Sequence, residues 1–134
     1  MEEWEKFFDE GLAYCKVAIG AKSKGKLGNT VIYNTVGLAI ESLLMSLLAQ
    51  QNMYPEHSSI GTMLRAIKKF APVPEEFFVE SRFMNSFMNF CALEVVEEKI
   101  PTDEEIDRMV NFVIDLKIWA EKNLYAEAEI IQEK

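Results

Sequence analysis

The chain is 134 residues long and 49% hydrophobic, with 6 glycines and 4 prolines, which suits a single domain over 1–134 and leaves too little chain for a second. A net charge of −8 argues against general nucleic-acid binding, because backbone phosphates repel an acidic surface; the charge is uneven, with 7 acids and 8 bases in 1–74 but 15 acids and 6 bases in 75–134. No uninterrupted apolar run approaches the roughly 18 residues that cross a bilayer, and the acidic start MEEWEKFFDE is unlike a secretory signal, so the expectation is a cytoplasmic protein without membrane association.

Five helical segments can be placed in chain order, with no convincing strand. Residues 2–21 place Trp4, Phe8, Leu12, Cys15 and Ile19 three or four apart, the stripe of an amphipathic helix, and SKGKLGN at 23–29 ends it with two glycines. Lys16, Lys22, Lys24 and Lys26 gather there, either as solvated cations suited to a helix C-terminus or as a phosphate-gathering loop. Residues 29–51 form the most apolar segment and are read as the central helix. With Leu44 at the centre of its buried face, an advance of about 100° per residue puts Tyr33, Gly37, Ile40, Leu47, Leu48 and Gln51 on that face. Thr35, Ser42, Ser46 and Gln50 are left as the solvent stripe. Glu41 falls about 60° from the centre, beside Asn34, which predicts a half-buried carboxylate in need of a cation or donor.

NMYPEHSS is a turn, because Pro55 disfavours helix at the residue before it and the serines cap the next helix. That helix is short, over 59–70, and presents Ile60, Met63, Leu64 and Ile67. APVPEE then leads into a fourth helix over 75–98, with Pro74, Glu75 and Glu76 suited to its first turn and Phe83, Phe87, Phe90 and Cys91 on its buried face. After Pro101, Thr102 and Glu105 form a reciprocal capping box that opens a last helix marked by Ile106, Met109, Val110, Val113, Leu116, Ala120 and Leu124. These segments make an all-α, antiparallel bundle of four to five helices.

Most chemistry is excluded by counting. One histidine cannot supply the Glu-x-x-His pairs of a di-iron bundle or a Cys and His zinc site, and neither glycine-rich phosphate motif is present, so no metal, cofactor or catalytic residue is expected. Cys15 and Cys91, far apart and without a C-x-x-C pair, read as buried free thiols. Phe77, Phe78, Phe83, Phe87 and Phe90 read as core and subunit interface.

The run AIESLLMSLL, Ala39 to Leu48, resembles the second-helix signature of HEPN (higher eukaryotes and prokaryotes nucleotide-binding) domains, Ala-x-Glu-x-x-Leu followed by further apolar residues. HSSIGTMLRAI at 57–67 resembles that family's short third helix, and PTDEEIDRMVNFVIDLKIWAEKNL at 101–124 its acidic-capped last helix, so the resemblance spans nearly the whole chain. Met45 departs from the lysine that many members carry four residues after the glutamate. The resemblance implies a HEPN-like bundle that commonly dimerises and is often paired with a small nucleotidyltransferase in toxin–antitoxin systems. It also implies that catalytic members are metal-independent ribonucleases, in which an arginine supplies charge to a phosphate oxygen and a histidine, after four to six intervening residues, moves the 2′-hydroxyl proton.

No arginine precedes His57, so the single histidine cannot complete that motif. In SRFMNSFMNF, Arg82, Asn85 and Asn89 share one face of the fourth helix, and Asn89 stands where the histidine would be; asparagine is neither acid nor base near neutral pH. The expectation is a non-catalytic, homodimeric binding or assembly module with a protein partner such as a nucleotidyltransferase. The alternative is a metal-independent ribonuclease or nucleotide-binding protein using Arg82. The ligand-binding candidates are Glu41, Arg82, Asn85 and Asn89, with Glu41 either anchoring Arg82 or making a structural bond between helices, and His57 a turn residue.

Overall fold

The structure, a computed structural model, describes residues 2–25, 28–55, 59–87 and 100–126. Among these residues there are five α-helices and no strand: α1 Glu3–Lys24, α2 Asn29–Gln50, α3 Ile60–Ile67, α4 Glu75–Asn85 and α5 Asp103–Leu124. The third helix is shorter than expected because Lys68, Lys69 and Phe70 close it as a turn. The fourth helix ends at Asn85, ahead of the expected 98, with Ser86 and Phe87 in a turn; the rest of the expected helix, with Asn89, Phe90 and Cys91, lies outside the described residues, as does His57.

Helix ends follow local chemistry. α1 starts at a Glu2–Glu5 capping box and stops at Gly25, whose φ of 63° is left-handed and whose N–H donates to the Ala21 carbonyl at 2.9 Å; a residue with a Cβ would be strained there. At the start of α5 the expected box is closed, Glu105 N–H donating to Thr102 Oγ1 at 3.2 Å and Thr102 N–H to the Glu105 carboxylate at 3.0 Å. Ser59 caps α3 by accepting from Thr62 N–H at 3.1 Å.

α2 lies at the centre, packed against α1, α5 and α3. Val36, Ile40, Leu43, Leu44, Leu47 and Leu48 are sealed from solvent. Each such side chain contributes about 1.5–3 kcal/mol on burial, against about 1 kcal/mol for a cap, so burial decides where α2 sits. By length and mean hydropathy α2 is also apolar enough to pass for a membrane span, yet most of it is buried inside the bundle.

The buried arc of α2 runs through Val36, Ile40, Leu43 and Leu47, and not symmetrically about Leu44. Ser42 and Ser46, expected on the solvent side, are buried, and the Ser46 hydroxyl donates to the Leu43 carbonyl of its own helix. Val31, Asn34, Leu38 and Glu41 face outward instead, with Met45 at the edge of that arc. A helix covered on three sides is apolar over most of its circumference, so its sequence marks the direction of the open arc only weakly.

α1 runs antiparallel to α2, with Gly11 pressed on Leu43. It is also antiparallel to α5: the Lys22 ammonium lies 2.8 Å from Asp107 near one end, and Trp4 and Phe8 meet the Tyr125 ring near the other. α2 and α5, by contrast, run parallel. Asn29 donates to the Pro101 carbonyl and the Asp103 carboxylate, both at 2.9 Å, where the two helices begin, and Gln50 donates to the Leu124 carbonyl at 2.9 Å where they end. The crossover through α3 and α4 returns the chain to the starting end and produces this orientation.

The Gly11 contact generates a paired prediction. A Cβ on Gly11 would lie 2.8 Å from Leu43 Cδ2 and 3.2 Å from the Leu43 backbone nitrogen, and Leu43 is fully buried, whereas a Cβ on Gly20 meets nothing within 4 Å. Gly11→Ala should therefore lower the unfolding free energy by about 1–2 kcal/mol through overpacking, while Gly20→Ala should raise it by about 0.5–1 kcal/mol through helix propensity, as read from urea unfolding of the two variants.

Candidate functional site

α4 is fastened to α5 at positions three apart. Phe77 packs edge-on against Phe112 and Trp119, with ring centroids 5.6 and 5.3 Å apart, and the Trp119 indole N–H donates to the Pro72 carbonyl at 2.9 Å. One turn on, Arg108 grips Glu80 with two parallel bonds of 2.9 Å and lays its guanidinium over the Phe83 ring, 3.8 Å from the centroid. The bonds to Glu80 push the already high pKa of Arg108 further up, so it is a fixed cation committed to this carboxylate.

Beside this clamp runs an open groove of about 520 Å³, lined by Glu76, Phe77, Glu80, Glu104, Asp107, Arg108, Asn111, Phe112 and Asp115. Five carboxylates outweigh one guanidinium, so the groove repels phosphate. A second hollow of about 430 Å³ lies between the α1–α2 turn and the start of α5, where Lys22 is paired with Asp107 and Asn29 with Asp103. Lys22 is therefore engaged by a carboxylate. Among the described residues, no three His, Cys, Asp or Glu side chains are grouped so that they could hold a metal ion.

The predicted site residues are not gathered. Arg82 and Asn85 are both exposed, three residues apart on α4. Glu41 is exposed on the outward face of α2, a correction to the expected half-buried carboxylate, and no hydrogen bond or ion pair joins it to Arg82. The Tyr33 hydroxyl donates to the Met84 carbonyl at 3.1 Å, and its ring lies 5.7 Å from that of Phe87, which seats the end of α4 near the start of α2. Glu41 lies eight residues beyond Tyr33, about 12 Å further along the axis. Asn89 and His57 fall outside the described residues. The Glu80–Arg108 clamp was not anticipated; its partners are 28 residues apart, and the acid excess of the second half of the chain was its one sequence sign.

Cys15 is a buried free thiol, as expected; burial pushes its pKa up, partly opposed by Lys117. It is accordingly a poor nucleophile. Tyr33 is pushed the same way by burial.

No family model matches the sequence, and no curated protein sequence does. Among solved structures the chain is similar to the crystal structure of ST0689, an archaeal HEPN homologue, at 19% identity and a TM-score of 0.71, over 92% of this chain and 98% of that one. At that identity the likeness establishes the fold, which is HEPN-like, with five helices and no strand among the described residues.

Two measurements check this geometry. A double-mutant cycle of Glu80→Gln and Arg108→Met should give a coupling of about 0.5–1 kcal/mol, as for a well-formed surface pair, that shrinks in concentrated salt. Because the folded thiol of Cys15 has the higher pKa, its contribution is complete below the ordinary thiol range and is lost as pH rises from there through the folded value. The urea midpoint should thus fall between pH 7 and 10, and fall less in Cys15→Ala, with Tyr33 supplying part of the remaining slope.

Proposed function

On the premise of that HEPN-like bundle, we propose that the chain is a non-catalytic binding and assembly module, a homodimer that receives a protein partner such as the small nucleotidyltransferase of a toxin–antitoxin system. The observation that carries this reading is the order of residues: all three arginines, Arg65, Arg82 and Arg108, come after the single histidine, His57. None can therefore stand before it with four to six residues between.

The chemistry makes that order consequential. Attack of a 2′-hydroxyl on its phosphodiester needs a group to take the proton and a cation or donor to bear the developing charge. Arg82 offers charge, but its neighbour Asn85 carries no titratable proton, and Arg108 is held by Glu80. The acidic groove between α4 and α5 repels a phosphate backbone. A second reading, nucleotide binding or metal-independent cleavage through Arg82, is favoured by one feature: the guanidinium is exposed with an amide three residues away.

Incubation with a mixed-sequence single-stranded RNA separates the two readings. Wild type and Arg82→Ala should both leave the substrate intact. Cleavage by wild type that disappears in the variant would overturn the non-catalytic reading and assign the activity to Arg82.

A further inference from the structure

Between Glu56 and Glu75 the chain carries Arg65, Lys68 and Lys69 and no acid, so α3 is a basic element in an acidic protein. Lys68 lies over the Phe78 ring of α4, 5.6 Å from its centroid. Arg65 is exposed and forms no ion pair among the described residues; its Nη2 donates to Thr62 Oγ1 at 3.3 Å. In this it differs from Arg108, which Glu80 holds.

Gly61 stands in the first turn of α3, facing α4. The point where a Cβ would be is 3.4 Å from Arg65 Nη1 and 3.4 Å from Ser81 Oγ, so the guanidinium and the hydroxyl converge on a space that glycine leaves open. Ser81 is 2% exposed, yet its hydroxyl has no hydrogen bond among the described residues, where so buried a hydroxyl ordinarily has one. No fully sealed side-chain oxygen or nitrogen among them lacks a partner, so the small exposure that Ser81 keeps is at its hydroxyl, beside Gly61. The helix start adds donors. Thr62 and Met63 N–H both bond to Ser59, which leaves the N–H groups of Ile60 and Gly61 without an acceptor among the described residues, at the positive end of the helix dipole.

We propose that this space binds a phosphate group, free or carried by a small monoester, held by the Arg65 guanidinium, the Ser81 hydroxyl and the first N–H groups of α3. The groups that converge there can all donate, and none is a carboxylate. A phosphate brings three terminal oxygens to share among them, and its charge strengthens each bond. Glu80, next to Ser81 in the chain, is turned to α5 in the grip of Arg108, so this side of α4 accepts an anion that the acidic groove repels. The site uses neither Arg82 nor a second copy of the chain, and it goes beyond the proposed function without resting on it.

Titration of the ¹⁵N-labelled full chain with sodium phosphate at constant ionic strength tests the site, with calorimetry giving the affinities. The Gly61 and Ile60 amide resonances of wild type should shift to saturation with one phosphate per chain. Gly61→Ala, whose methyl makes only ordinary contacts, should fill the space and abolish binding with an unchanged helical circular-dichroism spectrum. Arg65→Met should weaken binding about tenfold or more and Ser81→Ala about threefold to tenfold. Lys122→Met, which removes an equal charge from an exposed site on α5, should not. Glycerol phosphate binding more tightly than inorganic phosphate assigns a monoester, and equal or weaker binding assigns the free anion. No saturable shift up to about 30 mM phosphate overturns the site. So does binding undiminished in either Gly61→Ala or Arg65→Met, or binding that is lost only in Arg82→Ala.

Discussion

Taking α2 out of water places α1, α3 and α5. Val36, Ile40, Leu43, Leu44, Leu47 and Leu48 cannot be satisfied by one neighbour, and α1, α5 and α3 each cover a different part of the circumference. A short turn suffices to lay α1 antiparallel on one part. To lay α5 on another, the chain crosses through α3 and α4, and α5 therefore enters at the same end as α2 and runs parallel to it. The polar bonds of Asn29 and Gln50 then pin the two helices at matching ends. Each such bond contributes about 1 kcal/mol, so they set orientation while apolar burial supplies the driving force.

α4 is held by a different kind of contact. It buries Phe77 and Met84, and its attachment to α5 is completed by aromatic edges and by Arg108 gripping Glu80 over the Phe83 ring. The acids of the second half of the chain end up facing one another across that junction, which is why the larger groove is acidic. Its electrostatics are a product of the packing, and they disfavour phosphate where the bundle would otherwise offer a ready cleft. Arg82, which is exposed, stands at the far end of α4 beside an amide rather than a base.

The same surplus of apolar side chains that makes α2 the core helix leaves its outward arc almost uncharged. An interior helix needs no polar face, and α2 has hardly any: beyond Glu41 and Asn34, the open side is Val31, Leu38 and the edge of Met45. Glu41, which in sequence looks like an acid in search of a cation inside the bundle, becomes a solvent-side charge on that open arc.

By itself the sequence determined what depends on neighbours three or four residues away. The Thr102–Glu105 box, the Gly25 stop, the Ser59 cap and the apolar stripes of α1 and α5 are local, because a cap is closed by the next turn of the same helix. The order and type of the segments, and with them the HEPN-like bundle, were therefore legible. What only the tertiary structure decided lies between helices: that Ser42 and Ser46 turn inward while Leu38 and Glu41 turn outward, that α5 runs parallel to α2, and that Arg108 takes Glu80 while Glu41 and Arg82 stay unpaired with each other. Those outcomes depend on which faces meet in space, between positions up to 74 residues apart in the chain. On a helix apolar almost all round, periodicity cannot say which side its neighbours will leave open.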